Sequence, residues 1–95
     1  MNITPASLVR VTAGRDKNNY LMIYKILDEN YVLICDGKRR KIEAPKKKKL
    51  KHIESLNYSL GTIDKNLKIG KEISNSEIRK SIREALLALG ILSKE

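Results

Sequence analysis

Phenylalanine and tryptophan are absent from this 95-residue sequence, and four tyrosines are its whole aromatic complement. An interior built from it must be aliphatic and modest in volume, with little room for a deeply enclosed active site. Cysteine occurs once, at Cys35, and histidine once, at His52, so no internal disulfide can form and no set of metal ligands stands at the usual spacing. A reducing, cytoplasmic setting suits such a chain. Apolar runs stay far below the roughly 20 residues that span a bilayer. Residues 1–7 lack the basic and apolar regions of a signal peptide. No carboxylate pair, nucleophile elbow or glycine-rich phosphate loop is recognisable, so no catalytic residue, metal, cofactor or small-molecule substrate is expected.

Acidic residues are also scarce. Eleven Asp and Glu face twenty Lys and Arg, leaving a net charge of +9. Most of that excess is local: residues 38–52 hold nine cations against Glu43 alone, a balance of +8. Anionic partners are implied.

The length suits one domain with one core. Between residues 7 and 56 the sequence is β-branched and broken by turns, which predicts a five-stranded, partly open barrel over residues 1–56. Leu8, Val9, Arg10, Val11, Thr12 and Ala13 alternate at the two-residue period of a first strand. Gly14 to Asn19 is a polar loop. Residues 20–27 form a second strand, apolar on both faces except at Lys25, so alternation leaves its buried face open. Residues 31–35 are the most strand-like of all. Asp36-Gly37 suggests a tight type I′ turn into a fourth strand at 39–44. Pro45 would end that strand and the lysine run would make a wide turn into a fifth strand at 50–56.

Residues 57–73 hold two glycines and no sustained period, and read as a linker. Residues 74–95 then form an amphipathic helical segment, with the helix itself at 75–89. Ser74 and Glu77 form a capping box, Ile73 can staple against Ile78, and Gly90 supplies the stop. Ile78, Ile82, Ala85, Leu86 and Leu89 recur at helical spacing. Packing of this stripe on the barrel is the expected arrangement, because fifty residues enclose too little core alone.

A non-catalytic RNA-binding protein is the reading that best fits this charge distribution. Lys46, Lys47, Lys48, Lys49 and Lys51 would grip phosphates, a contact that releases counterions but carries no sequence information. Lys38 and Lys41 add to the same field. Arg15, Arg39 and Arg40 are better suited to specific contacts, since guanidinium groups make bidentate hydrogen bonds and stack on bases. Tyr20, Tyr24, Tyr31 and Tyr58 are assigned first to packing. His52 reads as a strand residue and backbone contact within the basic segment. The competing reading is a protein-binding adaptor that uses the barrel edge or the helix face around Ile78, Ile82 and Leu86, with another protein as partner.

The run Leu8-Val9-Arg10-Val11-Thr12-Ala13-Gly14-Arg15-Asp16-Lys17, followed by an apolar strand, Val32-Leu33-Ile34 and Asp36-Gly37, resembles the KOW motif. The match is closest to bacterial KOW-domain proteins related to the large-subunit ribosomal protein family of the fourteen-e type. That family also carries a basic stretch like residues 45–52 after the motif. The resemblance covers residues 7–56. It implies an SH3-like barrel and contact with ribosomal RNA through the loop after the first strand, and it carries over Gly14, Arg15 and Lys17. Many members place glycine soon after the lysine, where this chain has Asn18 and Asn19.

Overall fold

Both faces of the central strands are apolar, and the fold uses both. The computed structural model describes residues 3–93. Residues 1–2 and 94–95, the outermost parts of the ranges drawn from sequence, lie outside the described residues. Five antiparallel strands, β1 (Ser7–Val11), β2 (Tyr20–Ile26), β3 (Tyr31–Cys35), β4 (Lys46–Lys49) and β5 (Ile53–Ser59), form one sheet in the order β4-β3-β2-β1-β5. A 3-10 turn, Leu50–His52, joins the two outer strands. The result is a mainly β, SH3-like barrel left partly open between β4 and β5, followed by helices α1 (Gly61–Lys68) and α2 (Asn75–Ala88).

Period-two alternation divides the buried residues into two clusters, where one core was expected. Val9, Leu21, Ile23, Val32, Ile34 and Ile53 fill the concave side. Leu8, Met22 and Cys35, from the opposite face, meet Leu60 and Ile63 of the α1 segment and Ile78, Ile82 and Ala85 of α2. The open question about β2 is thus answered by both faces: Leu21 and Ile23 point into the barrel, Met22 toward the helices. A register break between Ile23 and Lys25 then leaves Ile26, 42% exposed, opposite Val32 at the hairpin tip. Removing the fully buried Ile78 side chain down to alanine would cost about 2–5 kcal/mol.

The lysine run is the fourth strand itself. Lys46 pairs with Ile34, Lys47 with Leu33, Lys48 with Val32 and Lys49 with Tyr31. The expected strand at 39–44 is a loop instead, because Asp36 folds back: its Oδ1 accepts the N–H groups of Lys38 (3.0 Å) and Arg40 (2.8 Å). Gly37 takes φ +76° while Asp36 does not enter the positive-φ region, so the two-residue type I′ turn does not form. Pro45 precedes a strand rather than ending one. Lysine has poor strand propensity, but an edge strand need not bury both faces, and lysines there also discourage pairing with another sheet. The last strand accordingly begins at Ile53, three residues later than expected.

Residues 57–73, expected as a linker, hold the end of β5 and all of α1. Ile63 is fully buried, and Gly70 closes α1 as a Schellman cap, with the Lys71 and Gly70 N–H groups donating to the Asn66 and Leu67 carbonyls. At only eight residues, α1 shows too few turns for its period to stand out. In α2 the Ser74–Glu77 capping box is present, and Gly90 (φ +73°) ends the helix with the Ile91 and Gly90 N–H groups bonded to Leu86 and Leu87.

Candidate nucleic-acid interface

Three basic segments, one from residues 14–17 and two from residues 38–49, meet at one end and along one edge of the barrel. Gly14, Arg15 and Lys17 lie exposed in the β1–β2 loop, Lys38, Arg39 and Lys41 exposed and Arg40 half-buried in the β3–β4 loop, and Lys46, Lys47 and Lys49 exposed and Lys48 half-buried on β4. Lys51 and His52 belong to the 3-10 turn.

The first two segments are joined by a residue that sequence reasoning passed over. Asp16 is buried, 1% exposed, although it sits in a loop between two cations. Its Oδ2 accepts Arg40 Nε at 3.1 Å and Arg40 Nη2 at 3.0 Å, and Arg39 Nε stands 4.0 Å from Oδ1. Arg40 is therefore committed to holding two loops together. Arg39, its side chain 60% exposed, keeps most of its guanidinium in water. A signal for this existed: a single acid in Arg15-Asp16-Lys17 is well placed to organise neighbouring arginines.

Lys48 joins the third segment to the first. Its Nζ donates to the Ala13 carbonyl at 2.8 Å and lies where a Cβ on Gly14 would come within 2.7 Å of it. Period two sends Lys46 and Lys48 to the same face as Val32 and Ile34, and Lys47 and Lys49 to the other, where Lys47 Nζ lies 4.5 Å from the Tyr31 ring centroid. His52 contributes backbone, its carbonyl accepting the Thr12 N–H at 2.9 Å. Among the described residues the cations within 4 Å of a carboxylate are Arg10, Arg39, Arg40 and Lys68, so the four lysines of β4 face no acid.

In the β1–β2 loop, where many KOW members have glycine, an asparagine takes the left-handed turn position. Asn18 adopts φ +72°, the region a glycine would otherwise supply, and its Oδ1 accepts Arg10 Nη1 at 2.7 Å.

Helix α2 braces the β3–β4 loop from behind. Asn75 Oδ1 accepts the Ile42 N–H at 2.8 Å while its Nδ2 donates to Glu43 Oε1 at 2.8 Å, a bond that, ahead of a backbone one, holds the Glu43 carboxyl below the usual range. Arg79 donates to the Gly37 carbonyl at 2.5 Å. Ile78 and Ile82 are buried against the sheet, so the apolar face of α2 is occupied within the chain. Among the described residues no group of three His, Cys, Asp or Glu is placed to hold a metal, and no helix is long and apolar enough to cross a membrane.

A partly open five-stranded barrel, basic loops organised at one end and a lysine edge strand define a small basic protein of the KOW type. No protein-family profile matches the chain. Over 73 residues, 77% of this chain and 69% of the relative, it is 33% identical to the large ribosomal subunit protein eL14 of Desulfurococcus amylolyticus. The chain belongs to the eL14 family of large ribosomal subunit proteins.

Proposed function

We propose that the protein is a non-catalytic, cytoplasmic RNA-binding protein that associates with structured ribosomal RNA through the face formed by the β1–β2 loop, the β3–β4 loop and β4. The observation that carries this reading is β4: four consecutive lysines held in an extended edge strand with no acid in reach. Fixing like charges side by side costs free energy that a polyanion relieves, with release of its counterions. The eL14 relative, by its name a protein of the large ribosomal subunit, supports ribosomal RNA as the polyanion.

Within this face the roles divide. Lys46, Lys47, Lys49 and Lys51 meet phosphates, joined by Lys38, Lys41 and Lys17. Arg15 and Arg39 make directed contacts. Lys48, Arg40, Gly14 and His52 shape the surface that the others present.

Binding to ribosomal RNA fragments measured from 50 to 300 mM salt tests this assignment. Each phosphate neutralised adds about −0.7 to −0.9 to the slope of log affinity against log salt. Replacing Lys46, Lys47 and Lys49 together with glutamine should flatten the slope by about 2 to 3. An unchanged slope removes β4 from the interface. The adaptor reading is separated by nuclease treatment before affinity capture from cells: partners that persist without RNA favour it, and partners that disappear favour RNA.

A further inference from the structure

Where the β2–β3 hairpin tip meets the 3-10 turn, a cavity of about 270 Å³ is lined by Asn30, Tyr31, Lys49, Leu50 and Lys51. The Leu50 N–H donates to the Asn30 carbonyl at 2.8 Å, and Tyr31 is the cross-strand partner of Lys49, so backbone pairing fixes its walls. Sites for drug-sized molecules occupy roughly 300–1,000 Å³. This one lies just below that range and suits one flat ring system.

Its chemistry is selective. No carboxylate lines it. Asp28, two residues before Asn30, turns its Oδ1 toward the N–H groups of Asn30 and Tyr31, each at 2.8 Å. The larger groove of about 820 Å³ beside α1 and α2 carries Glu43, Glu72 and Glu77 and would repel a polyanion. In the smaller cavity Tyr31 offers an aromatic surface already steadied by Lys47, Leu50 offers an apolar one, and the exposed Asn30 amide offers both a donor and an acceptor. Lys49 and Lys51, both exposed, flank it.

We propose that this cavity receives a single unpaired nucleotide of the bound RNA. The base lies against Tyr31, its edge meets the Asn30 amide, and the adjoining phosphates meet Lys49 and Lys51. Stacking on an aromatic side chain and hydrogen bonding at the base edge are how proteins read bases that have left a helix. The proposal rests on the RNA-binding reading above, and it gives the lysine edge a place where sequence or shape is sensed.

Two RNA hairpins that differ only by one bulged 2-aminopurine nucleotide test it, with affinity and fluorescence measured on the full chain. The wild type should bind the bulged hairpin about tenfold more tightly and quench its fluorescence by stacking. Tyr31→Leu should erase both effects and leave affinity for the paired hairpin within about twofold. Asn30→Ala, at an exposed turn position, should change the ranking of the four bases at the bulge and leave paired RNA unaffected, a readout that stands even if Tyr31→Leu fails to fold. No preference in the wild type, equal losses on both hairpins, or an unchanged base ranking in Asn30→Ala would overturn the pocket while RNA binding stands. Failure to bind either hairpin at low salt would remove the RNA-binding reading and the pocket with it.

Discussion

Asp16 and Arg40, 24 residues apart, meet with Nε and Nη2 of the guanidinium at 3.1 and 3.0 Å from the same carboxylate oxygen, Oδ2. The acid is 2% exposed at its side chain and the arginine 25%, so water screens part of the pair. Asp16→Asn should lower stability by about 1–3 kcal/mol in urea unfolding, below the 3–5 kcal/mol typical of a fully buried broken pair. It should also release Arg40 toward the solvent. The salt slope of RNA binding should then steepen by about 0.7–0.9, one additional cation, even as the fold weakens. A slope that becomes shallower would mean that the loops lose their arrangement altogether.

Gly37 and Gly90 share the left-handed conformation, at φ +76° and +73°, and separate its two costs. A Cβ on Gly37 would lie 2.3 Å from the Asn75 carbonyl oxygen, a backbone atom that cannot yield, whereas Gly90 has nothing within 4 Å. Gly90→Ala should cost about 1–2 kcal/mol, the conformational penalty alone. Gly37→Ala should cost at least about 2 kcal/mol more, from overpacking against α2. Equal losses in paired denaturant titrations would mean that the β3–β4 loop is not seated on the helix.

Lys48 is expected to differ from its neighbours. Because its Nζ holds the Ala13 carbonyl at 2.8 Å, Lys48→Met should lose about 1 kcal/mol of stability. Lys46→Met and Lys49→Met should stay within about 0.5 kcal/mol. Thermal unfolding of the three variants checks the order, and hydrogen exchange at residues 13–18 should rise only for Lys48→Met.

Cys35 is fully buried, and its thiol is pushed up to about 12, first by burial and then by the neighbouring Asp36 carboxylate. The unfolded thiol ionises near its ordinary value of 9.0, so the folded state keeps this contribution at all lower pH. The contribution should fade as pH rises from 9 toward 12, because only the unfolded chain gains the thiolate there. The difference between the stability-versus-pH curves of wild type and Cys35→Ala isolates it from lysine and tyrosine titration. Iodoacetamide should label Cys35 at pH 8 only in denaturant.

Much of the architecture is legible in the sequence. Val9 and Val11, Val32 and Ile34, and the stripe from Ile78 to Ala85 carry periods of two and near four that only a strand or a helix satisfies, and each buries as its period requires. The capping box at Ser74 was equally plain, because its two hydrogen bonds join residues three apart. Helix α1 was not: its Ile63, and Leu60 just before it, gain their burial from the far side of the sheet, and nothing within so short a segment announces it.

For the candidate site the sequence by itself determined the charge and where along the chain it is carried, since composition depends on no partner. It also determined the need for a left-handed residue at Gly37, a steric matter local to that turn. Tertiary structure decided which cations are free. Arg39 and Arg40 are adjacent and chemically identical, yet Arg40 is spent on Asp16 at 3.0 Å while Arg39, 4.0 Å from the same carboxylate, stays 60% exposed, because the β1–β2 loop brings Asp16 closer to one than to the other. The four lysines of β4 are likewise one repeated letter until pairing with β3 sends alternate side chains to opposite faces and delivers Lys48 to Ala13. Contacts made by chain segments distant in sequence depend on where the sheet brings them, and that is a property of the fold as a whole.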